Sequence, residues 1–177
     1  MAVKVLSGRN VILFFRALEK KATEDASKLR FQTEHAISKE KEVESTVTKD
    51  GVYNTISPGS NTADISSLAY EDDSVTIEVW RELEQMFDAE KVVEMWQVDI
   101  SNVSSDSLSV EPDYFQGVFT SFEITSPAEG EVELNYSYAI NGDGVRGTDT
   151  LSPSQLAAVE STIYEYESMK AGGTAGI

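Results

Sequence analysis

The chain contains no cysteine and a single histidine, His35, in 177 residues. Without thiols there is no disulfide framework and no thiolate metal site, and one imidazole cannot build a transition-metal cluster. Basic side chains are scarce: 14 Lys and Arg face 31 Asp and Glu, for a formal net charge of −17. Such a surface does not seek nucleic acid or an anionic membrane as a binding partner. It serves solubility, or it repels phosphate at close range. Long hydrophobic runs are missing too. Residues 11–15 are apolar but far too short for a signal core or a membrane span. No Gly-rich phosphate loop joins a strand to a helix, and no repeat recurs at a fixed period. What remains is 40% hydrophobic residues with two Trp, seven Tyr and seven Phe, enough to fill the core of one domain spanning 1–177.

The most informative stretch is 28–49. Its even positions (Arg30, Gln32, Glu34, Ala36, Ser38, Glu40, Glu42, Glu44, Thr46, Thr48) hold no large apolar side chain. Its odd positions carry Leu29, Phe31, Ile37, Val43 and Val47 among polar residues. A period of two signals extended β structure, here far longer than the usual strand. The apolar face fades after Ile37, so the outer half has little core to bury in. The pattern predicts that 29–37 belongs to a sheet and that 38–58 forms a projecting β arm, returning through Asp50-Gly51 and the strand 52–56. Glu40, Glu42 and Glu44 would form its charged face. Lys39 and Lys41, opposite, are candidates to pair with acids of another subunit. The candidate inter-subunit residues of this arm are Lys39, Glu40, Lys41, Glu42, Glu44, Lys49 and Tyr53.

The rest reads as mainly β with helices. Val11–Ala17 is apolar on both faces and reads as a buried strand followed by a polar loop, with a helix over 15–29 as the competing reading. Residues 62–70 read as a strand with Ala63, Ile65 and Leu68 buried. Val75, Val79, Leu83 and Met86 recur at helical spacing, which predicts a helix over 74–89 with Trp80 and Phe87 widening its apolar face. Three strands follow. In 92–100, Val92, Trp96, Val98 and Ile100 share a face. Asp113–Thr125 is apolar on both faces and should be central. In 131–140, Val132, Leu134, Tyr136, Tyr138 and Ile140 alternate cleanly. Asn141-Gly142-Asp143-Gly144 reads as a hairpin turn; it lacks the ligand spacing of a calcium loop. Ser152-Pro153-Ser154-Gln155 is a capping box and opens a helix predicted over 153–170. Its stripe of Leu156, Val159, Ile163 and Tyr166 is a candidate contact surface for a neighbouring subunit as much as for its own sheet.

None of these motifs carries chemistry. Carboxylates are too numerous for any pair to be informative, and the aromatics fall at core spacing. The residues offer no catalytic, metal or cofactor site and read as a non-enzyme.

The order of parts resembles the major tail proteins, or tail-tube subunits, of long-tailed, non-contractile bacteriophages of Gram-positive hosts. The resemblance rests on VLSGRNVILFF near the N-terminus, on the arm FQTEHAISKEKEVESTVTKDGVYNTISPGSNTADISSLAY, and on the later VDISNVSSDSLSVEPDYFQGVFTSFEITSPAEGEVELNYSYAINGDGVRGTDTLSPSQLAAV. It implies two packed antiparallel sheets, as a sandwich or barrel, with a flanking helix. It implies rings, six subunits each in the family, that stack into a tube with an acidic lumen through which DNA passes. The implied partners are copies of the chain itself, a tape-measure protein, a tail terminator and a distal tail protein. The implied location is the virion tail, assembled in the host cytoplasm without a membrane. Two other readings stay open: a monomeric β-sandwich module that binds a carbohydrate or host surface, and the tube protein of a secretion system.

Overall fold

The structure, a computed structural model, describes residues 3–71, 79–160, 169 and 171. The chain enters through β1 (Val11–Ala17), a 3-10 turn and the short β2 (Ser27–Lys28), then β3 (Gln32–Ser38). A hairpin of β4 (Lys41–Thr48) and β5 (Gly51–Pro58) leads into β6 (Asn61–Leu68) and α1 (Val79–Asp88). Then come β7 (Val93–Asp99), β8 (Ser109–Val110), β9 (Asp113–Thr125), β10 (Glu133–Arg146), β11 (Asp149–Thr150) and α2 (Pro153–Glu160). The strand reading of Val11–Ala17 therefore holds against the helical one.

Seven antiparallel strands form one sheet in the order β2-β1-β7-β9-β10-β6-β3, with β9 central. The sheet curls until its two ends meet through side chains. The Gln32 amide, on β3, accepts from the Leu13 N–H at 3.2 Å and donates to the Leu13 carbonyl at 3.1 Å and the Leu29 carbonyl at 2.8 Å. His35 Nε2 lies 2.9 Å from Gln97 Oε1 across the same gap. The expected two-layer sandwich or barrel is thus realised by one sheet folded onto itself.

Its inner face holds the main core, where Phe119 contacts the rings of Phe15, Tyr136 and Tyr138. The buried Tyr138 hydroxyl donates to the Val93 carbonyl at 2.6 Å, so this polar tip costs little. α1 covers the core with Val79, Trp80 and Leu83, and Phe87 stacks on Phe122. Residues 74–78 of the predicted helix, with Val75, lie outside the described residues, and the helix ends at Asp88. A second cluster sits on the outer face of β1 and β7, where Ile12, Phe14 and Val98 meet Val110 and Leu151 under the β8–β11 ribbon.

Four sequence expectations change. Leu68 is only half-buried, and Ser67 takes the inward place. In β7 the main core is filled by Val93 and Met95, whereas Trp96, Val98 and Ile100 join the second cluster and Val92 is exposed. The two apolar faces of β9 are largely one face interrupted by a bulge: Phe119 pairs with Tyr138 and Ser121 with Ser137, which leaves Thr120 as an extra residue. An extra residue reverses the alternation, so Phe122 returns to the side of Phe115 and Phe119. Finally, Asn141–Gly144 is no hairpin turn. β10 runs through it, pairing Asn141 with Gln116 and Val145 with Tyr114, so the segment is an enlarged bulge inside the strand. Gly142 and Gly144 supply the positive φ angles, 70° and 78°, that such a bulge requires.

Candidate assembly surfaces

Three regions of this fold stand out beyond its core. The first is the β4–β5 hairpin, which is exposed along its whole length. Partners directly opposite on antiparallel strands share a face. Val43 pairs with Ile56 and Val47 with Val52, so four apolar side chains line one face, with a Ser45–Asn54 hydrogen bond of 2.6 Å among them. Val47 is 82% exposed and Ile56 72%. The opposite face carries Glu42, Glu44, Thr46, Tyr53, Thr55 and Ser57. Thr48 Oγ1 donates to the Gly51 carbonyl at 2.7 Å and closes the tip beside Lys49.

The second is the root of the hairpin. Asn61, 7% exposed, accepts the Glu40 N–H at 3.2 Å and donates to the Gly142 carbonyl at 2.7 Å and Asp143 Oδ1 at 3.0 Å. Lys39 Nζ donates to the Asp143 carbonyl at 2.7 Å, and Lys41 Nζ lies 3.5 Å from Asp143 Oδ1. The Asn61 amide, followed by the Lys41 charge, holds the Asp143 carboxyl below its ordinary pKa. Within the chain, then, Lys41 pairs with the Asp143 carboxylate and Lys39 with the Asp143 main-chain carbonyl.

The third is the outer face of β9, β10, β6 and β3. Cross-strand register builds a grid: Val118, Ala139, Thr62, Ser38; then Ser121, Ser137, Asp64, Ala36; then Glu123, Asn135, Ser66, Glu34; then Thr125, Glu133, Leu68. Every polar side chain in it is small or acidic, and none is basic or aromatic. Hydrogen bonds from Ser66 to Asn135 at 2.7 Å and from Ser137 to Asp64 at 2.9 Å flatten it further. Toward β7 the face is bounded by an ordered polar row. Arg16 Nε bonds Glu94 Oε2 at 2.7 Å, the Tyr114 hydroxyl donates to Glu94 Oε1 at 2.7 Å, and Gln116 donates to that hydroxyl at 2.6 Å. Burial raises the Tyr114 pKa, which keeps its phenol proton on the bond to Glu94.

Of the predicted arm residues, Glu42, Glu44 and Tyr53 share the polar face, Lys49 sits at the tip, and Lys39, Glu40 and Lys41 belong to the root. The capping box is present in both directions, with Ser152 N–H to Gln155 Oε1 at 2.9 Å and Gln155 N–H to Ser152 Oγ at 3.3 Å. The described part of α2 is held by its own chain: Gln155 donates to the Ala26 carbonyl at 3.0 Å and Lys28 to the Ala158 carbonyl at 3.3 Å. Leu156 is half-buried and Val159 packs on the second cluster; Ile163 and Tyr166 lie outside the described residues. The sequence reading missed the valine strip, although residues matched about Asp50-Gly51 announce it. It also missed Asn61 and Asp143, which no local pattern connects. Among the described residues no group of three or more His, Asp or Glu could hold a metal.

A small curled barrel with an exposed, amphipathic arm and an outer face of small and acidic side chains defines a class of protein suited to meeting copies of itself. The phage tail tube protein family matches residues 5–146, and the chain belongs to it as a structural subunit of a tail tube. A protein of Staphylococcus phage phiMR25 that carries a tail-protein name is 32% identical over 163 residues, covering 90% of this chain and 80% of its own. The SPP1 tail tube has the same fold, with a TM-score of 0.73 at 16% identity over 97% of this chain and 95% of that one. The tail of an empty gene transfer agent particle, refined with C6 symmetry, follows with a TM-score of 0.57 at 13% identity over 84% and 100% of the respective chains.

Proposed function

We propose that this subunit closes into rings, six copies each, that stack into the tail tube of a virion with a Gram-positive host. In this reading the valine strip of the arm beds on a copy in the adjacent ring, and the bare face of β9, β10, β6 and β3 lines the lumen. The observation that carries it is the arm: a well-formed hairpin with an exposed apolar face contributes nothing to its own core. Burying one Val or Ile is worth about 1.5–3 kcal/mol, so the strip alone can drive stacking. A wall of small and acidic side chains lets DNA pass without adhering, since duplex DNA is itself a line of negative charge. Tape-measure, terminator and distal tail proteins would meet the tube at its interior and ends, and assembly would take place in the host cytoplasm.

Electron microscopy of concentrated protein should show tubes. A variant lacking 41–58, with Glu40 joined to Gly59 by a short linker, should melt like the parent and remain free of tubes. Glu40 and Gly59 already meet through a backbone bond of 3.1 Å, so the sheet can close there. Normal tubes from the deletion would remove the arm from the proposal.

A further inference from the structure

The arm meets the barrel along a thin line. Two chain crossings, Lys39-Glu40 and Gly59-Ser60, join it to β3 and β6, tied by one backbone bond from Gly59 N–H to the Glu40 carbonyl at 3.1 Å. A ribbon mounted this way can swing about that line. At about 3.3 Å per residue, the eight-residue β4 is a lever about 26 Å long, and a 10° swing moves its tip by about 4–5 Å. Contacts that lose a quarter to half of their attraction over a gap of about 0.5–1 Å do not survive such an error.

The structure supplies a third point of attachment away from the hinge line, in the β10 bulge. Asn61 bridges the Glu40 N–H to the Gly142 carbonyl and Asp143 Oδ1, while Lys39 and Lys41 reach Asp143 from the arm side. The bulge is shaped for this. Gly144 has a φ of 78°, and a Cβ there would lie 2.4 Å from the Phe115 ring, so no other residue fits without moving the core. The exposed Lys41–Asp143 pair contributes little by itself. The shielded amide of Asn61 fixes the joint, and the lysines set its angle.

We propose that Asp143 and Asn61 are positioning residues for assembly: with Lys39 and Lys41 they lock the arm at one angle to β10, so that a second copy meets a preset strip. The proposal rests on the tube reading above and adds the device that aims the arm. Preorganisation of this kind lowers the cost of association without adding a contact.

The absence of cysteine permits a direct test. Spin labels at Thr46→Cys on the arm and Ser121→Cys on the bare face report the arm angle as a distance distribution, measured on dilute full-length protein. The parent should give a narrow distribution. Asp143→Ala should at least double its width and raise the critical concentration for polymerisation about tenfold, with an unchanged melting temperature. Asp143→Asn, which keeps an acceptor for Asn61, should fall between the two. The double variant Lys39→Ala, Lys41→Ala should broaden the distribution as well, without touching β10. A distribution as narrow as the parent's in Asp143→Ala, or a broadened one with an unchanged critical concentration, overturns the proposal. If the parent itself forms no tubes, the function proposed above fails, while the distance distributions still decide whether the latch exists.

Discussion

Gly117 shows how far single positions constrain this sheet. It faces Ile140 across the β9–β10 ladder, between the large rings of Phe115 and Phe119. A Cβ there would lie 1.9 Å from the Ala139 carbonyl oxygen and 3.0 Å from the Tyr138 ring. Neither can yield, because the carbonyl belongs to the neighbouring strand and the Tyr138 hydroxyl is tied to Val93. Gly117→Ala should therefore cost about 3 kcal/mol or more, read as a lower urea midpoint. An unchanged midpoint would mean that the two strands part more easily than this packing allows. The case marks the limit of the sequence. The alternation of 131–140 is readable because each residue reports its own face. The bulge at Thr120 is not, since the shift becomes visible only against the partner strand. Asn61 and Asp143 are hidden for the same reason: their meeting spans 82 residues of chain.

At the scale of the element, the arm was the most legible part of the chain. Length, polarity and the Asp50-Gly51 turn announced a hairpin, and it forms over β4 and β5 with the break at Lys39-Glu40 that the fading apolar face implied. Its apolar face was not legible in the same way. Charged residues attract notice in a strand so polar, yet the valines and Ile56 hold the surface that water disfavours. Val47→Glu and Val52→Glu should leave the melting temperature unchanged, since both side chains are already exposed in the subunit. Each should raise the critical concentration at least tenfold, because a strip residue worth about 1.5–3 kcal/mol when buried is replaced by a charge. Sedimentation of tubes against protein concentration gives the answer. Assembly at the parental concentration would place the contact on the Glu42, Glu44 and Tyr53 face instead.

For the whole molecule, the curled sheet separates two environments. Its inner face is filled by aromatics, and Phe115, Phe119, Tyr136 and Tyr138, which fall at core spacing in the sequence, are all core. Its outer face gathers Glu34, Asp64, Glu123 and Glu133, with no basic residue among the grid positions paired across these strands. The net charge of −17 was plain in the composition, but composition cannot distribute charge over faces. Replacing those four acids by Lys should leave tubes intact and make them retain short duplex DNA, with an affinity that falls steeply as salt rises. Tubes that still ignore DNA would move the lumen to another face.

The root of the arm has one more consequence. All of the hairpin's residues lie outside the core, and among the described residues the bonds at its root are made by Lys39, Glu40, Lys41, Gly59, Asn61 and the β10 bulge. From Glu42 to Ser57 the sequence is thus free to diverge without disturbing the barrel. In the tube proposed above, the hairpin would act as an interchangeable cassette, and changing it alone would keep two related tubes built in one cell from mixing.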